Sequence, residues 1–463
     1  MRVLVHGLGI TGVSTVRAMQ RRGHDAVVTD DRVDDAKRAT AHRLGVAIDT
    51  LPDGDGLGEW VAGFDLVSPA PGVPEDHAVV HAARGAGVPV WSEIEIAYRW
   101  EQERAGGPRP ILAITGTDGK TSTTELTVGI ARAAGRHTAA LGNTDAPLLD
   151  AIDDDAFDVF VVECSSFRLA FTEQFRADAA VWLNLAADHL NWHRDLDSYI
   201  AAKSKLFTHQ RPGDAAIGFV DDPIVMAALG SAPGRRRTFG ATGSDYHLAG
   251  GMLTGPDGPI ADSGVMRRRL PHDLTNALAA SALVLESGVA DAAAIERALA
   301  TFEAPEHRLE PIADVDGVAW FNDSKATTPH AASAAIRAFD SLVLIAGGSR
   351  KGVSLAPMAE EHDRVRAVVA IGDAAADVHD AFDATTTVVD AASMPAAIAA
   401  ASELARPGDA IVLSPGCASF DWYQNYEHRG RVFKQLVRDH LAERTSPTAT
   451  RPASPTAPSE STS

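Results

Sequence analysis

The sequence predicts an α/β protein of parallel sheets, and three observations lead to that reading. Short β-branched runs alternate with longer Ala/Leu/Arg segments of helical period, the rhythm of parallel strands joined by crossover helices. A length of 463 residues exceeds what one hydrophobic core organises and suggests roughly two to four domains. Nearly every Gly/Ser/Asp/Lys-rich signature follows a predicted strand, and open parallel sheets bind ligands beyond the carboxyl ends of their strands.

Taken in order, the first block has strands near Arg2–Val5, Ala26–Thr29, Asp65–Ser68 and Val88–Trp91, and the Gly- and Pro-rich stretch Glu101–Pro110 reads as a linker. The second block opens with Ile111–Thr115 and continues through Asp158–Cys164, Ala179–Leu185 and Ala215–Val220 to a helical stretch over Leu274–Phe302. After a boundary at Glu303–Glu306 come strands near Val318–Phe321, Leu342–Ala346, Ala367–Ile371 and Ala410–Leu413, then a helix over Arg429–Arg444. The expected domains are therefore 1–100, 101–304 and 305–445, and the Ser/Thr/Pro/Ala-rich residues 446–463 read as a disordered tail.

Composition narrows the function. Hydrophobic content of 45% with 22% charged residues is ordinary for a soluble globular protein, while a formal charge of −20 argues against nucleic acid or an anionic membrane as the main partner. Cys164 and Cys417 are the only cysteines, which excludes a disulfide framework and a zinc cluster. The start, MRVLVHGLGITG, reads as a strand entering a turn rather than a signal peptide, and no apolar run of membrane-spanning length occurs. A cytoplasmic enzyme is expected.

The strongest local signal is Thr115-Gly116-Thr117-Asp118-Gly119-Lys120-Thr121-Ser122, between a strand and a helical pattern. Glycines turn backbone amides toward a phosphate, the helix adds its positive end, Lys120 reaches the β- and γ-phosphates, and a hydroxyl at Thr121 or Ser122 ligates Mg²⁺. Ile114 stands where the full Walker spacing would begin with Gly, so the match is partial. Glu163 follows the apolar strand Val159–Val162 as a candidate oxygen ligand, and Asp188-His189 ends the next strand. Lys203, in Tyr199-Ile200-Ala201-Ala202-Lys203, reads on its own as a solvated lysine. Gly7-Leu8-Gly9-Ile10-Thr11-Gly12 with Asp30 and Asp31 downstream fits a nucleotide diphosphate, and NAD only weakly. In the third block Arg308, Lys325 and Lys351 are cations placed near a boundary or after strands, suited to phosphate or carboxylate.

Together these segments resemble the Mur ligase family. The matching pieces are GLGITG at Gly7, GTDGKTS at Gly116, GN at Gly142, ECSSF at Glu163, ADHLNWH at Ala187, AAK at Ala201, TNALAA at Thr275, EHRLE at Glu306, NDSKAT at Asn322 and SPGCASFDWYQNYEHRG at Ser414. The resemblance covers nearly all of residues 1–445. It implies a Rossmann-like N-terminal domain that binds a UDP-sugar, a central P-loop ATPase-type α/β domain and a C-terminal Rossmann-like α/β domain. Gly9, Thr11, Asp30, Arg32, Gly72, Asn143 and His189 then fall at UDP-substrate positions. Gly116, Thr117, Asp118, Gly119, Lys120, Thr121, Ser122, Asp273, Arg308 and Asp323 fall at ATP positions. Thr121, Glu163 and a carbamylated Lys203 would hold two Mg²⁺ ions, and Lys120, His189 and Lys203 would carry catalysis. Lys325, Thr327, Lys351, Ser419 and Tyr426 match positions for the incoming amino acid. The implied substrates are ATP, UDP-N-acetylmuramoyl-L-alanine and glutamate, joined through an acyl phosphate by a monomer with no nucleic-acid or membrane partner.

Three positions depart from the family pattern. Asp118 and Asp273 stand where Asn is usual, and Thr144-Asp145 follows Gly142-Asn143 in place of Ile-Gly. Competing readings are a divergent or folylpolyglutamate-synthase-like ligase, an NAD-dependent oxidoreductase, and a catalytically silent nucleotide-binding protein.

Overall fold

Apolar runs dictate where the sheets form. The strand Ile111–Thr115 and its neighbours Phe160–Glu163 and Ala179–Trp182 are buried at every position, as strands covered on both faces by helices must be. The computed structural model describes residues 1–445 except Asp55, Leu190, Asn191, Lys351 and Val353; the expected tail at 446–463 lies outside the described residues.

The chain divides into two compact units, Met1–Glu303 and the residues from Ala304 onward. The first unit carries two sheets. In one, β1 (Arg2–His6), β2 (Asp25–Thr29), β3 (Ile48–Asp49) and β4 (Leu66–Pro69) lie parallel in the order β3-β2-β1-β4. The expected strand at Val88–Trp91 is reduced to a single bridge, Val67 to Val90, because Ser92 already starts the helix Glu93–Gln102.

The other sheet contains β5 (Ile111–Thr115), β6 (Ala140–Gly142), β7 (Phe160–Glu163), β8 (Ala179–Trp182), β9 (Ala215–Phe219), β10 (Arg235–Gly240), β11 (Tyr246–Ala249), β12 (Met252–Gly255) and β13 (Gly258–Asp262). Its order is β13-β12-β11-β10-β9-β8-β5-β7-β6, parallel except for the antiparallel pairs of β12 with β11 and β13. The expected helical stretch over 274–302 is two helices, Pro271–Glu286 and Ala292–Thr301. One buried cluster runs from Val3, Val5 and Val28 through Ile94 and Ile96 to Ile111, Phe160 and Trp182, so the two sheets share a core. The Gly- and Pro-rich stretch between them is pinned rather than loose: buried Glu101 accepts Arg109 Nε at 2.9 Å and Nη2 at 2.8 Å.

The second unit has one sheet, of β14 (Glu310–Val315), β15 (Val318–Asn322), β16 (Leu342–Gly347), β17 (Val365–Ile371), β18 (Thr387–Ala391) and β19 (Ala410–Leu413). Its order is β14-β15-β19-β16-β17-β18, and only β14 runs antiparallel. The terminal helix spans Tyr426–Thr445 and packs Phe433, Val437 and Leu441 into the core. Among the described residues no helix is long and apolar enough to cross a membrane.

Candidate active site

Strand order places the chemistry. Because β8, β5 and β7 are neighbours, the residues following them emerge side by side at one sheet edge. The first is the glycine loop. Asn184, just past β8, holds it: Thr117 and Asp118 N–H donate to Asn184 Oδ1 at 3.0 and 2.9 Å, and Asn184 Nδ2 donates to the Asp118 carbonyl at 3.2 Å. Gly119 caps the helix Lys120–Ala133 at φ 81°, where a Cβ would lie 2.8 Å from Asn276 Oδ1. A glycine cap offers no side-chain oxygen to the first-turn amides, so this helix start suits an anion. Lys120 Nζ curls back to donate to the carbonyls of Gly116 and Thr117 at 2.9 and 2.8 Å. Thr121 and Ser122 sit half-buried in the same first turn.

Glu163 ends β7 and is 2% exposed. Its Oε1 accepts Asn143 Nδ2 at 2.8 Å, whereas its Oε2 is buried with no hydrogen-bond partner. A buried carboxylate oxygen left unshared is costly unless a cation completes it, so the donor chemistry fits a hard divalent ion. The solvated-lysine reading of Lys203 is overturned: it is 1% exposed on the helix Leu196–Thr208, which starts with an Asp195/Ser198 capping box. Its Nζ donates to the Gly116 carbonyl at 2.7 Å. Burial first, then the charge of Lys120, holds its pKa well below the ordinary lysine value. A neutral amine is the form that adds CO₂, so the site also fits carbamylation.

His189 follows at φ 56°, its ring 4.7 Å from Phe167, with its pKa lowered by burial, opposed by Asp188 and reinforced by Lys120 and Lys203. Asp273, at an expected nucleotide position, is held by its neighbours. Its carboxylate takes Arg268 Nε at 2.7 Å and Nη2 at 2.6 Å, and Leu270 N–H at 3.0 Å. An Asn there would lack the charge for that fork.

At the first sheet, Asp30 is a brace for the glycine turn, accepting Leu8 N–H at 2.7 Å, Arg32 N–H at 2.9 Å and Lys37 Nζ at 2.6 Å. Gly7 (φ 97°) turns against Ala70, while Gly9, Arg32 and Gly72 are exposed. The sequence reading missed His6 and His77, whose Nε2 atoms lie 3.5 and 3.1 Å from Asp31. Val79 N–H donates to His77 Nδ1 at 3.2 Å, so the His77 proton sits on Nε2 and points to Asp31, which disfavours metal ligation there. It also missed Arg168, which reaches both Thr11 Oγ1 at 2.9 Å and Asn143 Oδ1 at 3.2 Å.

In the second unit the residues after β15, β19 and β16 again emerge from neighbouring strands. Asp323 Oδ2 accepts Ser414 Oγ at 2.7 Å and its Oδ1 accepts Leu309 N–H at 3.1 Å. Lys325 Nζ lies 5.6 Å over the Tyr426 ring, and Thr327 N–H donates to the Lys325 carbonyl at 2.8 Å. Ser419 is buried, with its carbonyl accepting Tyr423 N–H, and Arg308 is half-buried beside Leu309. Lys351 lies outside the described residues. Arg429, buried and missed by the sequence reading, stitches these loops: Nε and Nη2 bond Ser324 at 2.9 Å each, and Nη1 and Nη2 bond the carbonyls of Ala418 and Cys417 at 3.1 Å each. Burial lowers its pKa to about 10. The EHRG run held that signal, since Arg429 sits beside Gly430, where a Cβ would lie 2.2 Å from His307 Nδ1.

A glycine loop suited to phosphate beside an unshared carboxylate oxygen, on parallel sheets, is the arrangement of a nucleotide-using enzyme. Comparison then gives the family. Residues 114–284 match the Mur ligase middle domain, 307–417 the Mur ligase glutamate ligase domain, and 1–92 the MurD-like N-terminal domain. The chain belongs to the Mur ligase family. It is 39% identical to the UDP-N-acetylmuramoylalanine–D-glutamate ligase of Frankia casuarinae, over 94% of this chain and 93% of that protein. With the enzyme of the same name from Streptomyces avermitilis the identity is 37%, over 94% and 97% of the two chains. Its fold resembles the crystal structure of UDP-N-acetylmuramate-alanine ligase from Thermotoga maritima, with a TM-score of 0.55 at 18% identity, covering 96% of this chain and 100% of that one.

Proposed function

We propose that the protein adds D-glutamate to UDP-N-acetylmuramoyl-L-alanine with conversion of ATP to ADP, a step of peptidoglycan precursor synthesis. Relatives of that name spanning nearly the whole chain support the substrates, and the reaction belongs in the cytoplasm, where ATP and UDP-linked precursors are found. The observation that carries the chemistry is Glu163 Oε2, buried and unshared, on the strand next to the glycine loop.

In this reading the chain works as three domains, 1–100 for the UDP-substrate, 101–304 for ATP and 305–445 for the amino acid. Gly9, Thr11, Arg32, Gly72 and Asn143 receive the UDP-substrate, with Asp30 shaping the turn. Backbone amides of Gly116–Ser122 hold the phosphates, and Lys120 leaves the Gly116 carbonyl to pair with them. Thr121 and Glu163 hold one Mg²⁺ and carbamylated Lys203, with His189 beside it, a second. Bound Mg²⁺ supplies charge neutralisation at the phosphates and at the developing oxyanion. The alanyl carboxylate oxygen attacks the γ-phosphorus and ADP leaves; the glutamate nitrogen then attacks the acyl carbon and phosphate leaves with the bond electrons. Asp323 and Arg308 serve the nucleotide, while Lys325, Thr327, Lys351, Ser419 and Tyr426 hold glutamate. Asp273, at the start of the helix Pro271–Glu286 with its carboxylate held by Arg268, serves the nucleotide as well.

A coupled phosphate-release assay with UDP-N-acetylmuramoyl-L-alanine and each glutamate enantiomer tests this. Release that requires the UDP-substrate and D-glutamate is expected. Absence of release with both enantiomers would overturn it.

A further inference from the structure

Arg168 has no part in the reading above, yet its guanidinium ends on three separate stretches of the first unit. It lies on the short helix Ser166–Ala170, directly after the Glu163 carboxylate, and is 4% exposed. Nη2 donates to Thr11 Oγ1 at 2.9 Å, Nη1 to Asn143 Oδ1 at 3.2 Å and Nε to Glu93 Oε2 at 3.4 Å. Glu93, itself buried, also accepts Leu149 N–H at 2.8 Å.

The Asn143 contact has a directional consequence. A carboxamide presents its oxygen and its nitrogen on opposite sides. With Oδ1 held by the guanidinium, Nδ2 must face Glu163 Oε1, which it does at 2.8 Å. The flipped amide would set NH₂ against guanidinium and carbonyl oxygen against carboxylate, losing both hydrogen bonds. Arg168 therefore decides which way Asn143 points, and Asn143 leaves Glu163 Oε2 as the oxygen for a cation. The same guanidinium holds the hydroxyl of Thr11, in the first turn after the glycine turn of the first sheet. When a diphosphate accepts the Thr11 proton, the hydroxyl oxygen stays turned toward Arg168, and the chain to Glu163 is ordered before the cation arrives.

We propose that Arg168 is a positioning residue that makes binding of the UDP-substrate at the glycine turn and binding of a divalent cation at Glu163 mutually reinforcing. This rests on the function proposed above. Linkage requires the effect to be equal in both directions.

The test is Mn²⁺ binding followed by electron paramagnetic resonance in the presence of ADP, with and without UDP-N-acetylmuramoyl-L-alanine. The wild-type protein is expected to bind Mn²⁺ roughly 5-fold or more tightly when the UDP-substrate is present. Arg168→Met is expected to weaken Mn²⁺ binding about 10-fold, as loss of a group orienting a ligand does, and to abolish the dependence on UDP-substrate. Arg168→Lys keeps a charge beside Glu93 but cannot span Thr11 and Asn143 together, and is expected to lose the coupling as well. Should Arg168→Met unfold, the charge-balanced pair Glu93→Gln/Arg168→Met takes its place. In kinetics the KM values for Mg²⁺ and UDP-substrate rise while that for glutamate stays constant, a split that general loosening would not give. Wild-type Mn²⁺ affinity indifferent to bound UDP-substrate, or coupling retained in folded Arg168 variants, would overturn the proposal. A wild-type protein that binds no UDP-substrate at all would instead overturn the function it rests on.

Discussion

Replacing Lys203 with Met should raise stability and abolish activity together. Lys203→Met keeps the length and apolar stem of the side chain and removes an amine that is 1% exposed and faces the charge of Lys120. Relieving the burial of a polar group gains about 1–3 kcal/mol. Against this stands the hydrogen bond to the Gly116 carbonyl, 2.7 Å long and worth about 1 kcal/mol net. The carbonyl keeps Lys120 as a donor at 2.9 Å, so it is not orphaned. The net expectation is a gain of about 0–2 kcal/mol, or a Tm higher by up to several degrees at about 2–4 °C per kcal/mol. The measurement is calorimetry in metal-free, CO₂-depleted buffer, paired with the phosphate-release assay. Activity should fall by at least about 10²-fold, since an oxygen ligand for the cation is lost with the carbamate. Millimolar acetate, a carboxylate small enough to enter the vacated space, should restore part of it. A Tm well below wild type would refute the claim that this amine is buried at a cost. Undiminished activity would refute its role as a ligand precursor.

Two further outcomes follow from particular contacts. Gly119→Ala should destabilise by about 1–3 kcal/mol, combining a left-handed φ of 81° with a Cβ 2.8 Å from Asn276 Oδ1, and should raise the KM for ATP. Adding Asn276→Ala relieves only the clash and should recover part of the loss in urea unfolding; full recovery would show that φ carries no strain. His379 has its pKa raised by hydrogen bonds from its ring nitrogens to Asp383 at 2.9 Å and Asp390 at 3.1 Å. The stabilisation from its charge is complete below its ordinary value near 6.5 and disappears as pH rises through the raised value. The group is largely solvated, so His379→Gln should cost at most about 1 kcal/mol in Tm measurements at pH 5.5 and nothing at pH 9; an equal deficit at both pH values would rule out the charge as its source.

What the sequence revealed and what it hid divide along a physical line. β5, β7 and β8 were readable because burial on both faces forces near-continuous apolar runs, and the glycine loop because φ values such as that of Gly119 demand glycine. β10 was hidden because it opens Arg235-Arg236-Arg237, as polar as a loop. Its charges are answered by Glu286 Oε2 on Arg235 and Oε1 on Arg237, both at 2.7 Å, across some 50 positions of chain that no local pattern spans. The same holds for the site. Lys120 and Glu163 announce themselves by what precedes them, whereas Arg168, Asn184 and Arg429 are identified only by partners far away in sequence. Lys203 was misread for that reason: nothing in its helix says that its amine ends on a loop 87 residues earlier. Asp273 is the local case, its carboxylate accepting Arg268 only five positions earlier.

The convergence of two lysines on one acceptor gives the site its logic. Lys120 and Lys203 both donate to the carbonyl of Gly116, so two amino groups meet at a single neutral oxygen. Burial first, and then the charge of Lys120, depresses the pKa of Lys203, the deeper of the two. Each ligand the proposed reaction needs removes part of that conflict. In the proposed reaction a triphosphate would draw Lys120 outward into pairing with anionic oxygen, and carbamylation would turn Lys203 into an anionic ligand for the second cation. A chain of net charge −20 would thus draw the proposed anionic substrates through local groups rather than through its overall charge. In this reading the attraction is local, set by a half-buried Lys120 and a fully buried Lys203 that share one carbonyl until the ligands arrive.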